Sequence, residues 1–349
     1  MKTRITELFG IDYPIVLAAM AWITNGDMVA AVSEAGGLGT IGPNAGARFV
    51  TKDVNETGER LREQINRVRA ITDKPFAVNL VVGAAGLDKQ FSERCVEVAI
   101  EEQIPVAVVS QGSPLAHTER LKKKGIKVIH VCAAVKHAKK AEDVGVDAVV
   151  ASGTDGGGHS GFDQNTTYCL VPQIADVVKI PVIAGGGVCD GRQLTAAIAL
   201  GAEGVYVGTR FIATKECPAH KNYKDVLLKS RDGDTMAIRH GNVAVPGSGN
   251  KGFAEARRGS VRLVLDDTIR RFLVENQGFI DFDSLIDSLS HPEDKRISQT
   301  AASMIYGDFD SGFVAAGQGV GLINEVLSCK EVIEKIMKEA EIAQGRLQP

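Results

Sequence analysis

Short apolar runs alternate with amphipathic stretches through the first 210 residues of the chain. Eight of the runs are rich in Val, Ile and Ala and end near Gly, Asn or Ser. They predict strands at residues 13–21, 37–42, 75–82, 106–111, 127–133, 148–152, 181–185 and 204–209. Continuous apolar runs suit strands buried on both faces, as in a parallel sheet. The intervening stretches have helical periodicity at residues 25–35, 54–71, 89–102, 115–124, 135–144, 171–178 and 191–200. Asn25 is a natural N-cap for the first of these.

Eight β-α units fit the count of a closed (β/α)8 TIM barrel, an α/β fold. An open doubly wound sheet, which usually stops at five or six strands, ranks second. The rhythm breaks after Thr209. Residues 215–310 mix charges and include a Gly-rich loop at 245–252 and two or three helical stretches, one at 260–275. They predict an inserted, mainly helical subdomain that covers the barrel mouth and the substrate. Residues 313–345 read as the barrel's last helix, so the barrel would comprise 1–214 and 311–349.

Composition narrows the function classes. Hydrophobic residues make up 44% and charged residues 24% of the 349 residues, and the net charge is −3, which offers nothing for nucleic acid. Lys122–Lys124 sits at the end of a predicted helix, where cations suit the dipole. Residues 1–7 are charged and polar, unlike a signal peptide, and no run of 18 apolar residues could span a membrane. The six cysteines are scattered without a C-x-x-C pair, so neither a metal site nor a disulfide framework is expected, and the location expected is cytoplasmic.

Catalytic groups of such barrels lie at the C-terminal strand ends. The seventh predicted strand ends Gly185-Gly186-Gly187 and the eighth ends Val207-Gly208-Thr209. Glycines at these two places let backbone N–H groups approach a phosphate; tight turns are the alternative reading. The sixth ends at Ser152, ahead of a glycine-rich loop that carries His159. An imidazole there can reach a ligand and transfer protons near neutral pH. Gly156, Gly158 and Gly161 spell G-x-G-x-x-G, as do Gly247, Gly249 and Gly252, but neither set has the strand and helix a dinucleotide fingerprint needs. Asn79, at the end of the third strand, needs a partner if buried, either a polar heterocycle or backbone. Trp22 could wall a ring system or cap the core. His137 reads as a solvated helix residue, and His130 as facing either the mouth or the core. None of the six histidines besides His159 joins a constellation.

Together these residues resemble the 2-nitropropane dioxygenase-like flavoproteins: nitronate monooxygenases, the flavin-containing enoyl-acyl carrier protein reductase II and related quinone reductases. The segments ITELFGIDYPIVLAAMAW, AAVSEAGGLGTIG, KPFAVNL, DGGGHSG, IPVIAGGGVCDGRQLTAAIALGAEGVYVGTRFIATKECPAH and AAGQGVGLI carry the likeness. It is nearly complete over residues 1–225 and weak over 226–300. The resemblance implies bound FMN, with its phosphate against Gly186, Gly187, Gly208 and Thr209. It also implies ring contacts from Ala19, Met20, Ala21, Asn79, Ser152, Gly157, Gly185 and Val207, and an active-site role for His159. The chain departs from the family pattern at Ala18-Ala19, Ser152 and Asp155.

The leading expectation is oxidation of alkyl nitronates with O2. The alternative is NAD(P)H-dependent reduction of an enoyl thioester or a quinone, with NAD(P)H as co-substrate. A catalytically idle phosphate-binding barrel is a third reading. The partner expected is a small molecule, with no nucleic acid and no membrane, and a homodimer is the assembly considered.

Overall fold

A computed structural model describes residues 1–240, 259–276 and 281–346. All eight predicted barrel strands form, with trimmed ends. They are β1 (Ile15–Leu17), β2 (Gly39–Ile41), β3 (Phe76–Val81), β4 (Val106–Ser110), β5 (Lys127–Cys132), β6 (Ala148–Ser152), β8 (Val182–Gly185) and β9 (Gly204–Val207). They lie parallel in the order β1-β9-β8-β6-β5-β4-β3-β2. A parallel bridge between Val16 and Leu38 joins the two ends, closing the barrel.

Alternation along each strand sorts the side chains into two layers. Val16, Ala77, Val108, Ile129, Val150 and Ile183 share one buried cluster with Ile5, Phe9 and Ile11, which come from the first helix, Arg4–Phe9, and the turn after it. This is the barrel interior. Their neighbours Leu17, Val78, Val109, Val128, Val149 and Val205 join the larger cluster between strands and helices.

Most helices lie where the periodicity predicts. Gly26–Glu34 starts at Asn25, whose side chain accepts from the Met28 N–H. The stretch predicted at 115–124 divides into a 3-10 turn, Pro114–Ala116, and a short helix, Thr118–Lys122. The helix predicted at 171–178 is Thr167–Ala175, because Thr166 caps it four residues earlier. Gly191–Ala199 packs against the last helix, Cys329–Gly345, with Thr195 Oγ1 donating to Ala340 O at 3.2 Å.

Two expectations are corrected. Residues 260–275 are not one helix: Ser260–Val264 is strand β11 and only Asp267–Glu275 is helical. β11 is paired on both sides, antiparallel to β10 (Thr235–Arg239) and to β7 (Gly158–Ser160), and every one of its residues is buried. Tertiary pairing decided its state. Likewise 313–345 is helical only from Cys329, since Gly312, Gly317, Gly319 and Gly321 keep the preceding stretch irregular apart from the 3-10 turn Gln318–Leu322. Helices Lys221–Lys229, Asp267–Glu275, Phe282–Ser288 and Gln299–Tyr306 make up most of the remainder after β9. The loop predicted at 245–252 lies outside the described residues. No helix among the described residues is long and apolar enough to cross a membrane.

Candidate active site

A cavity of about 770 Å³ opens at the C-terminal ends of the barrel strands. Its wall includes Ala19, Met20, Ala21, Asn79, Ser152, Gly157, His159, Gly185, Gly186, Gly187, Gly208 and Thr209. Val207 is absent from the wall. It alternates with Tyr206, so its side chain turns into the helix layer, fully buried, while Tyr206 faces the cavity.

The turns after β8 and β9 have the properties an anion needs. Gly186 and Gly187 have φ of 106° and 75°, which L side chains rarely adopt. A Cβ on Gly186 would stand 2.8 Å from both Gly156 N and Thr167 Oγ1. Among the described residues, the N–H groups of Gly186, Gly187, Gly208 and Thr209 donate to no backbone acceptor. Arg210 follows directly. It is buried, one guanidinium nitrogen donates to Glu325 O at 3.1 Å, and Nη2 has no partner among the described residues. Burial pushes its pKa down, the cost of a desolvated cation that a nearby anion would relieve. Arg210 itself does not line the cavity; the free amides and glycine turns are what fit a terminal phosphate there, such as that of FMN.

The turn after β1 is already tied down. Ala19 N donates to the Tyr206 hydroxyl at 2.9 Å, and Met20 exchanges hydrogen bonds with Thr24 through its N–H and its carbonyl. The Ala21 N–H remains free for a ligand among the described residues. Burial pushes the Tyr206 phenol up to about 12, so it stays protonated. Trp22 lines the same wall with φ of 71°, held by its N–H to Pro43 O at 2.9 Å and by Gly46 N to its own carbonyl at 3.2 Å. Asn79 is paired by its own sheet: Nδ2 donates to Val108 O at 2.9 Å and Ser110 Oγ at 3.0 Å. Backbone is thus one partner of Asn79, and the side chain still borders the cavity.

Gly157 makes its close approach to protein. A Cβ there would lie 2.6 Å from Ala316 C. The segment it meets is fixed by Gly317 N to Thr209 Oγ1 at 3.0 Å and Gln318 N to Asp155 O at 2.9 Å. Val261, Met304, Phe313 and Ala315 add apolar wall from the later part of the chain.

His159 sits on β7, opposite Val261 of β11, and so on a strand edge where the sequence suggested a loop. Its side chain is exposed to the cavity yet lies deep among surrounding protein atoms. That desolvation, together with the charge of His240, lowers its pKa. His240 was expected to join no constellation, but it stacks on His159 with ring centroids 5.8 Å apart and 17° between planes. His130 is buried, lines the inner wall and has Nδ1 unpartnered among the described residues; burial, then His137, pushes it down to about 4. His137 borders the cavity as well. Sequence reasoning missed Tyr206 and His240. The alternation of β9 could have revealed the first, whereas nothing local could have revealed the second.

A barrel with glycine turns bearing free amides and an imidazole around one cavity at its mouth has the layout of an enzyme active site. The sequence profile of nitronate monooxygenases matches residues 2–339, and the chain belongs to that family and is an oxidoreductase. It is 33% identical to the (3aS,4S,5R,7aS)-5-hydroxy-7a-methyl-1-oxo-octahydro-1H-indene-4-carboxyl-CoA dehydrogenase of Mycobacterium tuberculosis, over 97% of this chain and 96% of that protein. It is 35% identical to a probable nitronate monooxygenase of Staphylococcus saprophyticus, over 68% of this chain and 75% of that protein. Among solved structures, FabK of Thermotoga maritima superposes with a TM-score of 0.82 at 34% identity, covering 99% of this chain and 98% of FabK.

Proposed function

We propose that the chain is an FMN-dependent oxidoreductase that oxidises alkyl nitronates with O2 as co-substrate, and that His159 is its catalytic residue. One observation carries this reading: an exposed imidazole and four uncommitted amides border the same cavity in a chain of this family. Gly186, Gly187, Gly208 and Thr209 would hold the FMN phosphate. Ala21 N–H, Asn79, Ser152 and Gly185 would border the ring. When bound, FMN supplies the electron-accepting chemistry that no side chain offers.

The protein's own part is binding and proton handling. The lowered pKa favours the neutral His159 ring, so where a nitroalkane enters in place of its nitronate, a ring nitrogen can take the proton from the carbon bearing the nitro group and leave the nitronate. Protonated, the same ring pairs with the nitronate anion. Val261, Met304 and Phe313 limit water around it. The proposal includes a barrel of residues 1–214 and 311–349 with 215–310 as its cover. A reducing cytoplasm suits the six free cysteines.

The test is steady-state turnover of propionate-3-nitronate under air. Turnover that depends on bound flavin supports the proposal. No turnover, with rapid flavin bleaching by NAD(P)H, rejects it in favour of a second reading: an NAD(P)H-dependent enzyme acting on a thioester or quinone. That reading is favoured by coverage, since the CoA-ester dehydrogenase aligns over 97% of the chain and the nitronate monooxygenase over 68%.

A further inference from the structure

The chain beyond β9 comes back to His159. In the three-stranded sheet, His159 lies opposite Val261, and Val261 opposite Ile238. His240 is two residues past Ile238 and so points to the same face; its backbone N–H donates to Gly259 O at 3.1 Å. The stack with His159 therefore follows from sheet register. On its other flank His240 Nδ1 is 3.1 Å from Asp283 Oδ1, and Phe282 packs edge-on with centroids 4.8 Å apart. Of the two imidazoles, His159 lines the cavity and His240 does not.

We propose that His240, oriented by Asp283, is a positioning residue for His159: it fixes the plane of that ring and opposes its protonation. The inference rests on His159 being the catalytic group. With Nδ1–H given to the Asp283 carboxylate, a proton on His240 Nε2 places positive charge against the face of His159. A proton on His159 would then set two like charges in contact, which disfavours it. Burial acts on His159 in the same direction. Two other charged groups nearby among the described residues are turned elsewhere. Arg239 places its guanidinium 5.5 Å from the Phe162 ring centroid. Arg262 alternates with Val261, faces away from the stack and donates Nε–H to Thr154 O at 2.7 Å. Phe282 adds apolar surface from its helix.

The test is a proton–carbon NMR titration of the histidine ring signals in the purified holoprotein, with His159 assigned by the signal lost in His159→Ala. His240→Phe keeps an aromatic ring in the stack without its charge. Asp283→Asn removes the carboxylate from a half-exposed position. The expected result is an upward shift of the His159 titration in both variants, larger in His240→Phe. The acid limb of kcat/KM should move up in pH with it. An unchanged His159 titration in His240→Phe overturns the proposal and leaves His240 as packing. Should His240→Phe fail to fold, the Asp283→Asn titration decides by the same criterion. The titration needs no turnover, so a wrong substrate would leave its result intact. Full activity in His159→Ala would instead remove the catalytic reading beneath it.

Discussion

Replacing Gly186 by Ala probes the cradle through two separable costs. Gly186 has φ of 106°, and an L residue held at positive φ costs about 1–2 kcal/mol. The added Cβ also meets Gly156 N and Thr167 Oγ1 at 2.8 Å and Gly153 O at 3.0 Å. Two of these are backbone atoms that must move, an overpacking cost of about 1–3 kcal/mol. Gly145→Ala is the control, because Gly145 has φ of 84° and its Cβ would meet nothing within 4 Å. Urea denaturation of the apoproteins should show a loss of about 1–2 kcal/mol for Gly145→Ala and about 2–5 kcal/mol for Gly186→Ala. A domain with about 5–15 kcal/mol of stability still folds after either. FMN binding separates them further. Losing one amide hydrogen bond to a charged oxygen costs about 1.5–3 kcal/mol, so Gly186→Ala should weaken FMN by roughly tenfold or more. Gly145→Ala should leave FMN binding unchanged. Equal FMN affinity in Gly186→Ala and wild type would refute the assignment of this turn to the phosphate.

Three further outcomes are expected. His159→Ala should keep its flavin spectrum and lose roughly 10²-fold or more in kcat, read by stopped-flow and steady-state assay. His130 has a folded pKa near 4 against an ordinary 6.5, so its stabilising contribution is full above 6.5 and is lost as pH falls towards 4. His130→Gln should remove that acid-side slope, on the order of 3 kcal/mol across the window, in denaturation curves at successive pH values. Tyr206→Phe deletes the acceptor of the Ala19 N–H, so it should lower stability by about 1–3 kcal/mol and weaken FMN as the turn beside Ala21 loosens, measured by denaturation and flavin titration.

The barrel was legible because its strands announce themselves one at a time. Runs such as 148–151 are apolar throughout, and several β-α steps carry a capping side chain, from Asn25 on one helix to Asp190 on another. Closure adds order to the strands without changing any strand's state. The glycine turn after β8 was legible for the same reason, since positive φ and close approach leave their mark on the residue itself; Gly208, after β9, has φ of −110° and bears no such mark. β11 was not legible in that way. Ser260–Val264 runs directly into a helical pattern, and its strand state comes from β7, about a hundred residues earlier, and from β10. The meeting of His159 and His240 is equally non-local, because it depends on the register of that sheet. Asn79 shows the converse limit. Its burial demanded a partner, but the choice of Val108 O and Ser110 Oγ depends on β3–β4 pairing.

The central claim is that amides of Gly186, Gly187, Gly208 and Thr209 grip a flavin by its phosphate. Fluorescence titration of the apoprotein with FMN and, in parallel, with riboflavin isolates that group, since the two ligands share the same ring. FMN should bind at least tenfold more tightly, the counterpart of one or more charge-assisted amide contacts. Equal affinity for the two ligands, or no binding of either, would contradict it.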